Sequence, residues 1–270
     1  MKDRRTRLLI ICPHPDDGEM LVQQLCFQSI EAGWDVHELL SCCDEYGTSR
    51  DAFKGKRIQK IRRQEMICAA KCYGLDDEGK SKLRLHWADY LDCHVPFNKS
   101  SVRRYKDFIE RINPDIIVGP DPFLQFDGHP DHINAGRNYY YALRSMKPET
   151  RPRLMLFCQS TKPDLYLKAK RTGIIDRARL CHRSQFSPFM VKMMHMMKYF
   201  YFPFVAIKIG FYYVQGFRKV TFKRSNHRLR GFTQHILYHL LGRPGEEPET
   251  LTPPHPEDLG LIKNPKDPII

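Results

Sequence analysis

Two hydrophobic rhythms alternate along the first two thirds of this chain. Short unbroken apolar runs, such as Leu8-Leu9-Ile10-Ile11 and Ile116-Ile117-Val118, read as strands buried on both faces. Between them lie longer stretches with helical spacing. Residues 7–12 form the first predicted strand. Residues 19–32 follow as a helix carrying Met20, Leu21, Leu25, Phe27 and Ile30 and stopped by Gly33. A second strand spans 35–41 and a polar loop 44–54. Residues 58–73 make a strong helix, with Ile58, Ile61, Met66, Ile67, Ala70 and Tyr73 on one face and Gly74 as its stop. A short strand at 84–87, a helix at 102–112, a strand at 116–118, a helix at 132–146 and a strand at 153–158 complete the pattern.

Strand and helix in alternation predict an α/β fold: a Rossmann-like, mostly parallel sheet with helices on both faces. No GxGxxG follows the first strand, which argues against a dinucleotide cofactor. After Pro188 the composition changes. Residues 190–217 are dense in Met, Phe and Tyr, residues 218–230 are basic, and the chain from 243 is proline-rich and polar. We read residues 1–218 as one domain and 219–270 as a C-terminal extension, basic and then irregular.

Charge adds a constraint on partners. The formal net charge of +13 over 270 residues favours anionic ones. The stretch 199–217 approaches the length of a membrane span, but Pro203, Lys208, Gly210 and Gln215 interrupt it. A packed helix and strand is the first expectation there, and peripheral contact with an anionic membrane the second. Basic residues beside aromatics in 217–232 raise nucleic acid as a partner, which nothing else supports. Nine cysteines show no CxxC pair and read as reduced residues of a cytoplasmic chain, with Cys68 and Cys72 as helix packing. The charged start, with only a short apolar run after it, does not read as a secretion signal.

The chemistry is concentrated in two clusters, Pro13-His14-Pro15-Asp16-Asp17 and His129-Pro130-Asp131-His132, each placed just after a predicted strand. In open α/β sheets, ligands bind beyond the carboxyl ends of the strands, so the two can converge. His14, Asp17 and His132 supply two imidazoles and a carboxylate, a ligand set suited to catalytic zinc or another divalent ion. Asp16, next to Asp17 on the same turn, is then placed to take a proton from water. Of His129 and His132, one can bind metal while the other faces the substrate. His129 as an imidazolium would stabilise an oxyanion and protonate a leaving amine, with Asp131 holding that ring in place. These parts suit metal-assisted amide hydrolysis.

Several segments in order resemble the LmbE-like family of zinc-dependent N-deacetylases, which includes the N-acetylglucosaminyl-phosphatidylinositol deacetylases. They are the two histidine clusters, Arg62-Arg63-Gln64-Glu65 on a helix ending at Gly74, and Asn113-Pro114-Asp115. Two more are His182-Arg183-Ser184-Gln185 and, loosely, Tyr213-Val214-Gln215-Gly216-Phe217, where Gln215 replaces the family's usual Glu. The resemblance covers about residues 7–218. It implies zinc on His14, Asp17 and His132, Asp16 as general base, His129 as electrophilic imidazole and Arg62 as a substrate-binding residue. The expected substrate is an N-acetylglucosamine-type conjugate, anionic or lipid-linked. Two other readings stay open: a hydrolase of another amide, such as a glycopeptide or thiol–sugar conjugate, and a non-catalytic membrane-associated protein with a relict metal turn.

Overall fold

The computed structural model describes residues 4–125, 128–170, 173–201 and 214–223, with the side chains of 195–201 and 214 left aside. Seven strands form one sheet: β1 (Arg7–Cys12), β2 (Asp35–Cys42), β3 (Leu83–Tyr90), β4 (Ile116–Pro120), β5 (Leu154–Cys158), β6 (Leu165–Lys168) and β7 (Val214–Lys219). Their order is β3-β2-β1-β4-β5-β7-β6. The first five are parallel, and β7 runs antiparallel to both β5 and β6. The Rossmann-like architecture expected from the alternation is the one observed.

β1 shows why the apolar runs are unbroken. Leu8, Ile10 and Cys12 enter one core with α2 (Gln23–Glu31), α3 (Lys56–Cys72) and α6 (Ile174–Cys181). Leu9 and Ile11 enter the other, with α4 (Lys99–Ile112) and α5 (Pro130–Ser145). A strand covered on both faces has no polar position to spare. β1 lies between β2 and β4, so chain order reverses there. The crevice beyond the carboxyl ends of β1 and β4 is the switch point of the sheet.

Three expectations need correction. The predicted helix at 19–32 is two helices, α1 (Asp17–Leu21) and α2, broken at Val22. The break is closed by Gln215: its Oε1 accepts from the Leu25 amide, and its Nε2 donates to the Leu21 carbonyl and Gln23 Oε1. On α3, Ile67 is not part of the inner face. It is 46% exposed, while Arg62, in register with Ile58 and Met66, is fully buried. The cysteines are not all reduced, because Cys68 on α3 is bridged to Cys181 at the end of α6, with Cys72 Sγ 3.7 Å from Cys181 Sγ. Arg218, the first residue of the basic run, is buried. It grips Asp121 through two bonds of 2.7 Å, both side chains being buried.

β6 and α6 were not foreseen, and α7 (Pro188–Tyr201) precedes β7 in the aromatic segment. Past β7, Val220 packs into the second core and donates its amide to the Met155 carbonyl. The expected basic stretch and proline-rich tail from 224 onward lie outside the described residues, as does 202–213. Among the described residues, no helix is long and apolar enough to cross a membrane.

Candidate metal centre

The first cluster is a turn closed on itself. Pro13 and Pro15 restrict the backbone on either side of His14. The His14 carbonyl accepts from the Asp16 amide, and the His14 amide donates to Asp17 Oδ2 at 2.8 Å. Asp17 then opens α1. Gly18 follows, and a Cβ there would lie 2.5 Å from Glu38 Oε1, so any other residue would push that buried carboxylate aside. The second cluster opens α5, whose first residue is Pro130. Gly136 lets α5 approach the end of β4, since a Cβ would sit 2.7 Å from the Pro120 carbonyl oxygen.

Three atoms from the two clusters meet. His14 Nδ1 lies 3.2 Å from His132 Nε2, and Asp17 Oδ2 lies 3.3 Å from the first and 3.4 Å from the second. All three side chains are buried. Ligands held about 2.0–2.1 Å from a tetrahedral ion are about 3.3–3.4 Å apart, so this triangle has the dimensions of three corners of such a site. Burial would raise the Asp17 pKa, but His132 and the bonds from His14 outweigh it and hold it at about 2. The carboxylate is therefore available as an anionic ligand.

Each imidazole is backed on its far side. His14 Nε2 faces Asp92 Oδ1 at 3.2 Å and Asp131 Oδ2 at 3.3 Å. Carboxylates only accept, so Nε2 carries a proton and Nδ1 is the nitrogen left to give its lone pair to an ion in the triangle. Cys42, Asp92 and Asp131 could themselves make a cation site with His14. Their lone pairs are committed elsewhere. Asp131 accepts from the Cys93 and Val95 amides and Asp92 from the Tyr46 and Cys93 amides. Burial pushes the Cys42 thiol well up, so it stays protonated and donates to the Pro13 carbonyl. This group holds His14 in place and is not a second centre.

Asp131 therefore does not have the contact expected of it. Its carboxylate points into the protein at His14 instead of at His129, because position 131 faces inward on the first turn of α5. His129 is half-buried at the N-cap of α5, its ring centroid 4.8 Å from that of His14 and 5.4 Å from that of His132. Its Nδ1 accepts from the Asp131 amide at 3.2 Å, so the neutral ring carries its proton on Nε2. Burial and the neighbouring His14 lower its pKa, which favours a neutral donor over the expected imidazolium.

Asp16 keeps about 16% of its side chain exposed, and its Oδ1 is held 3.1 Å from Arg62 Nη2. The same nitrogen lies 2.6 Å from Asp44 Oδ2. Burial raises the Asp44 pKa to about 6 despite Arg62. Arg62, expected to bind substrate, is fully buried beneath Asp16; its Nε and Nη1 make no hydrogen bond, and Nη1 lies 3.9 Å from Glu65 Oε2. The His182-Arg183-Ser184-Gln185 segment ties the surrounding walls together. His182 Nε2 lies 3.1 Å from Glu19 Oε2, Ser184 bonds Glu65 through its amide and hydroxyl, and Gln185 donates to the Gly47 carbonyl. Asp92, Glu45, which accepts from the Asp92 amide, and Gln159, whose Oε1 lies 3.1 Å from His132 Nδ1, were missed in the sequence because none sits in a cluster.

Residues 9–143, half of the chain, match the family model for PIG-L, the GlcNAc-PI de-N-acetylases. The chain belongs to the PIG-L (LmbE-like) family. Diacetylchitobiose deacetylase of Thermococcus kodakarensis is 28% identical over 130 residues, which are 48% of this chain and 46% of that protein. The match thus spans under half of that relative's length. The N,N'-diacetylchitobiose deacetylase of Pyrococcus horikoshii superposes with a TM-score of 0.69 at 23% identity, covering 81% of this chain and 85% of its own. A 4-carboxy-2-hydroxymuconate hydratase from Pseudomonas putida shares the fold at a TM-score of 0.63 and 15% identity, covering 84% of this chain and 99% of its own. The PIG-L fold therefore does not by itself select a reaction.

Proposed function

We propose that this protein is a metal-dependent hydrolase that removes the acetyl group from the nitrogen of an N-acetylglucosamine-type conjugate. The observation that carries the reading is the triangle of His14 Nδ1, Asp17 Oδ2 and His132 Nε2, 3.2–3.4 Å on a side at the switch point of the sheet. Those residues would hold one divalent ion, with zinc the best fit to two imidazoles and a carboxylate. When bound, such an ion acidifies water and polarises a carbonyl oxygen.

The remaining work falls to this chain's own groups. Asp16 is the more exposed carboxylate of its pair and takes the proton of the attacking water. Arg62, beneath it, orients Asp16 and tunes how the carboxylate meets the substrate. His129 donates through Nε2 to the oxygen that gains charge as the amide carbon becomes tetrahedral. The proton taken by Asp16 goes to the departing amine nitrogen as the C–N bond breaks, leaving acetate and a free amino sugar. Asp131 serves from one step further back, by fixing His14. The relatives named as deacetylases of acetylated sugars support this substrate class. The net charge of +13, with Phe189, Met190 and Met193 exposed on α7, favours an anionic, lipid-linked form met at a membrane surface.

An acetate-release assay tests this on diacetylchitobiose, N-acetylglucosaminyl-phosphatidylinositol in vesicles and an N-acetylated glycopeptide, each with and without chelator. Release from either sugar conjugate, abolished by chelator and restored by zinc, is expected. Undiminished release after the metal is stripped, or release from the glycopeptide alone, would overturn the reading.

A further inference from the structure

We infer that Gln159 is the positioning residue that selects the metal-binding tautomer of His132. The inference rests on the assignment of His132 as a ligand and names what makes it one. Gln159 follows β5 directly, at the carboxyl end of the strand next to β4. Its Oε1 lies 3.1 Å from His132 Nδ1. An amide oxygen only accepts, so Nδ1 carries a proton and Nε2 is the nitrogen left to give its lone pair to an ion at the point shared with His14 Nδ1 and Asp17 Oδ2. A ring with the opposite tautomer would aim an N–H at that point and bind nothing.

The backbone shows how closely this contact is specified. Gln159 has φ 56, the left-handed region that side chains other than Gly, Asn and Asp seldom enter. Glycine would take that conformation freely but has no acceptor to offer. A side chain kept there against its backbone preference marks a site where the contact outweighs the strain. The choice of a neutral acceptor also has a physical reason. Asp17, Asp92 and Asp131 are already packed around the paired imidazoles, so a fourth buried carboxylate would destabilise the metal-free fold while adding to the pull on a cation. An amide fixes the tautomer without adding charge.

The test uses the full chain, stripped of metal, with Q159L, Q159G and Q159E beside wild type. Zinc affinity is read by competition with a chromophoric chelator, coordination by the visible spectrum of the cobalt(II) form, and folding by thermal melts without metal. Q159L and Q159G are expected to bind zinc about 10–100-fold more weakly, the range for lost outer hydrogen bonds to a ligand histidine, with altered cobalt bands. Q159G should nonetheless melt close to wild type, because glycine relieves the left-handed backbone as the contact is lost. Q159E should bind at least as tightly as wild type, since a carboxylate can only accept the same N–H. Wild-type affinity in both Q159L and Q159G overturns the inference while leaving the metal centre intact. Weak binding by Q159E shows that the amide donates and overturns it too. If wild type binds neither metal, the ligand assignment itself has failed.

Discussion

Replacing Arg62 with leucine tests the electrostatics of the site most directly. The guanidinium is fully buried, with Nη2 3.1 Å from Asp16 and 2.6 Å from Asp44. Its removal leaves two carboxylates facing each other without a countercharge. Breaking a buried pair by deleting one partner costs about 3–5 kcal/mol. The lower end applies, because Asp16 reaches solvent, Arg62 Nε makes no hydrogen bond and Nη1 meets only Glu65, at 3.9 Å. The loss should depend on pH. Asp44 is held at about 6 with Arg62 beside it, already above its unfolded value. Without Arg62 its folded pKa climbs further, so stability present at low pH is lost as pH rises through that value. Urea unfolding followed by circular dichroism should show R62L about 3 kcal/mol less stable than wild type at pH 8 and much closer to it at pH 5. R62L/D44N should recover part of the loss at pH 8. A deficit under about 1 kcal/mol at pH 8, or one equal at both pH values, would refute the reasoning.

Other outcomes follow from the same structure. D16N should lower kcat by roughly 10²–10⁴-fold while its zinc content, measured by atomic absorption, stays at the wild-type level, because Asp16 is not in the ligand triangle. H132A should lose the metal together with activity. Burial raises the Glu45 pKa to about 7, although its oxygens accept from Gln59 and from the Asp92 amide. A raised folded pKa means stability present below about 4.5 and lost as pH rises through about 7, worth about 3 kcal/mol in all. Thermal melts of E45Q should lack this share of the pH dependence. The Cys68–Cys181 bridge closes a separation of 113 residues, and such loops contribute about 2–4 kcal/mol. Reductant should lower the melting temperature of wild type by several degrees and leave C181S unchanged.

Sequence alone determined the parallel sheet, the helices that cover it and the two clusters at its centre. Each of these is written locally. A strand buried on both faces must be a continuous apolar run, as Leu8-Leu9-Ile10-Ile11 is. A turn that closes on itself needs its His, Pro and Asp within five positions, as residues 13–17 have them. Only the tertiary structure decided which groups stand behind the ligands. Asp92 arrives from beyond β3 and Gln159 from the end of β5, while Glu45, from beyond β2, holds the Asp92 amide, none with a neighbouring residue that signals its role. The same holds for Arg62: helical spacing allowed it on the inner stripe of α3, but an arginine is buried there only because Asp16 and Asp44 come from other elements to meet it. Asp131 sits within a visible cluster, yet which histidine it serves was settled by the inward direction of its side chain on α5. Periodicity records which face of an element leaves water. It carries no record of which distant polar group waits on that face, and in this protein those groups orient both imidazoles.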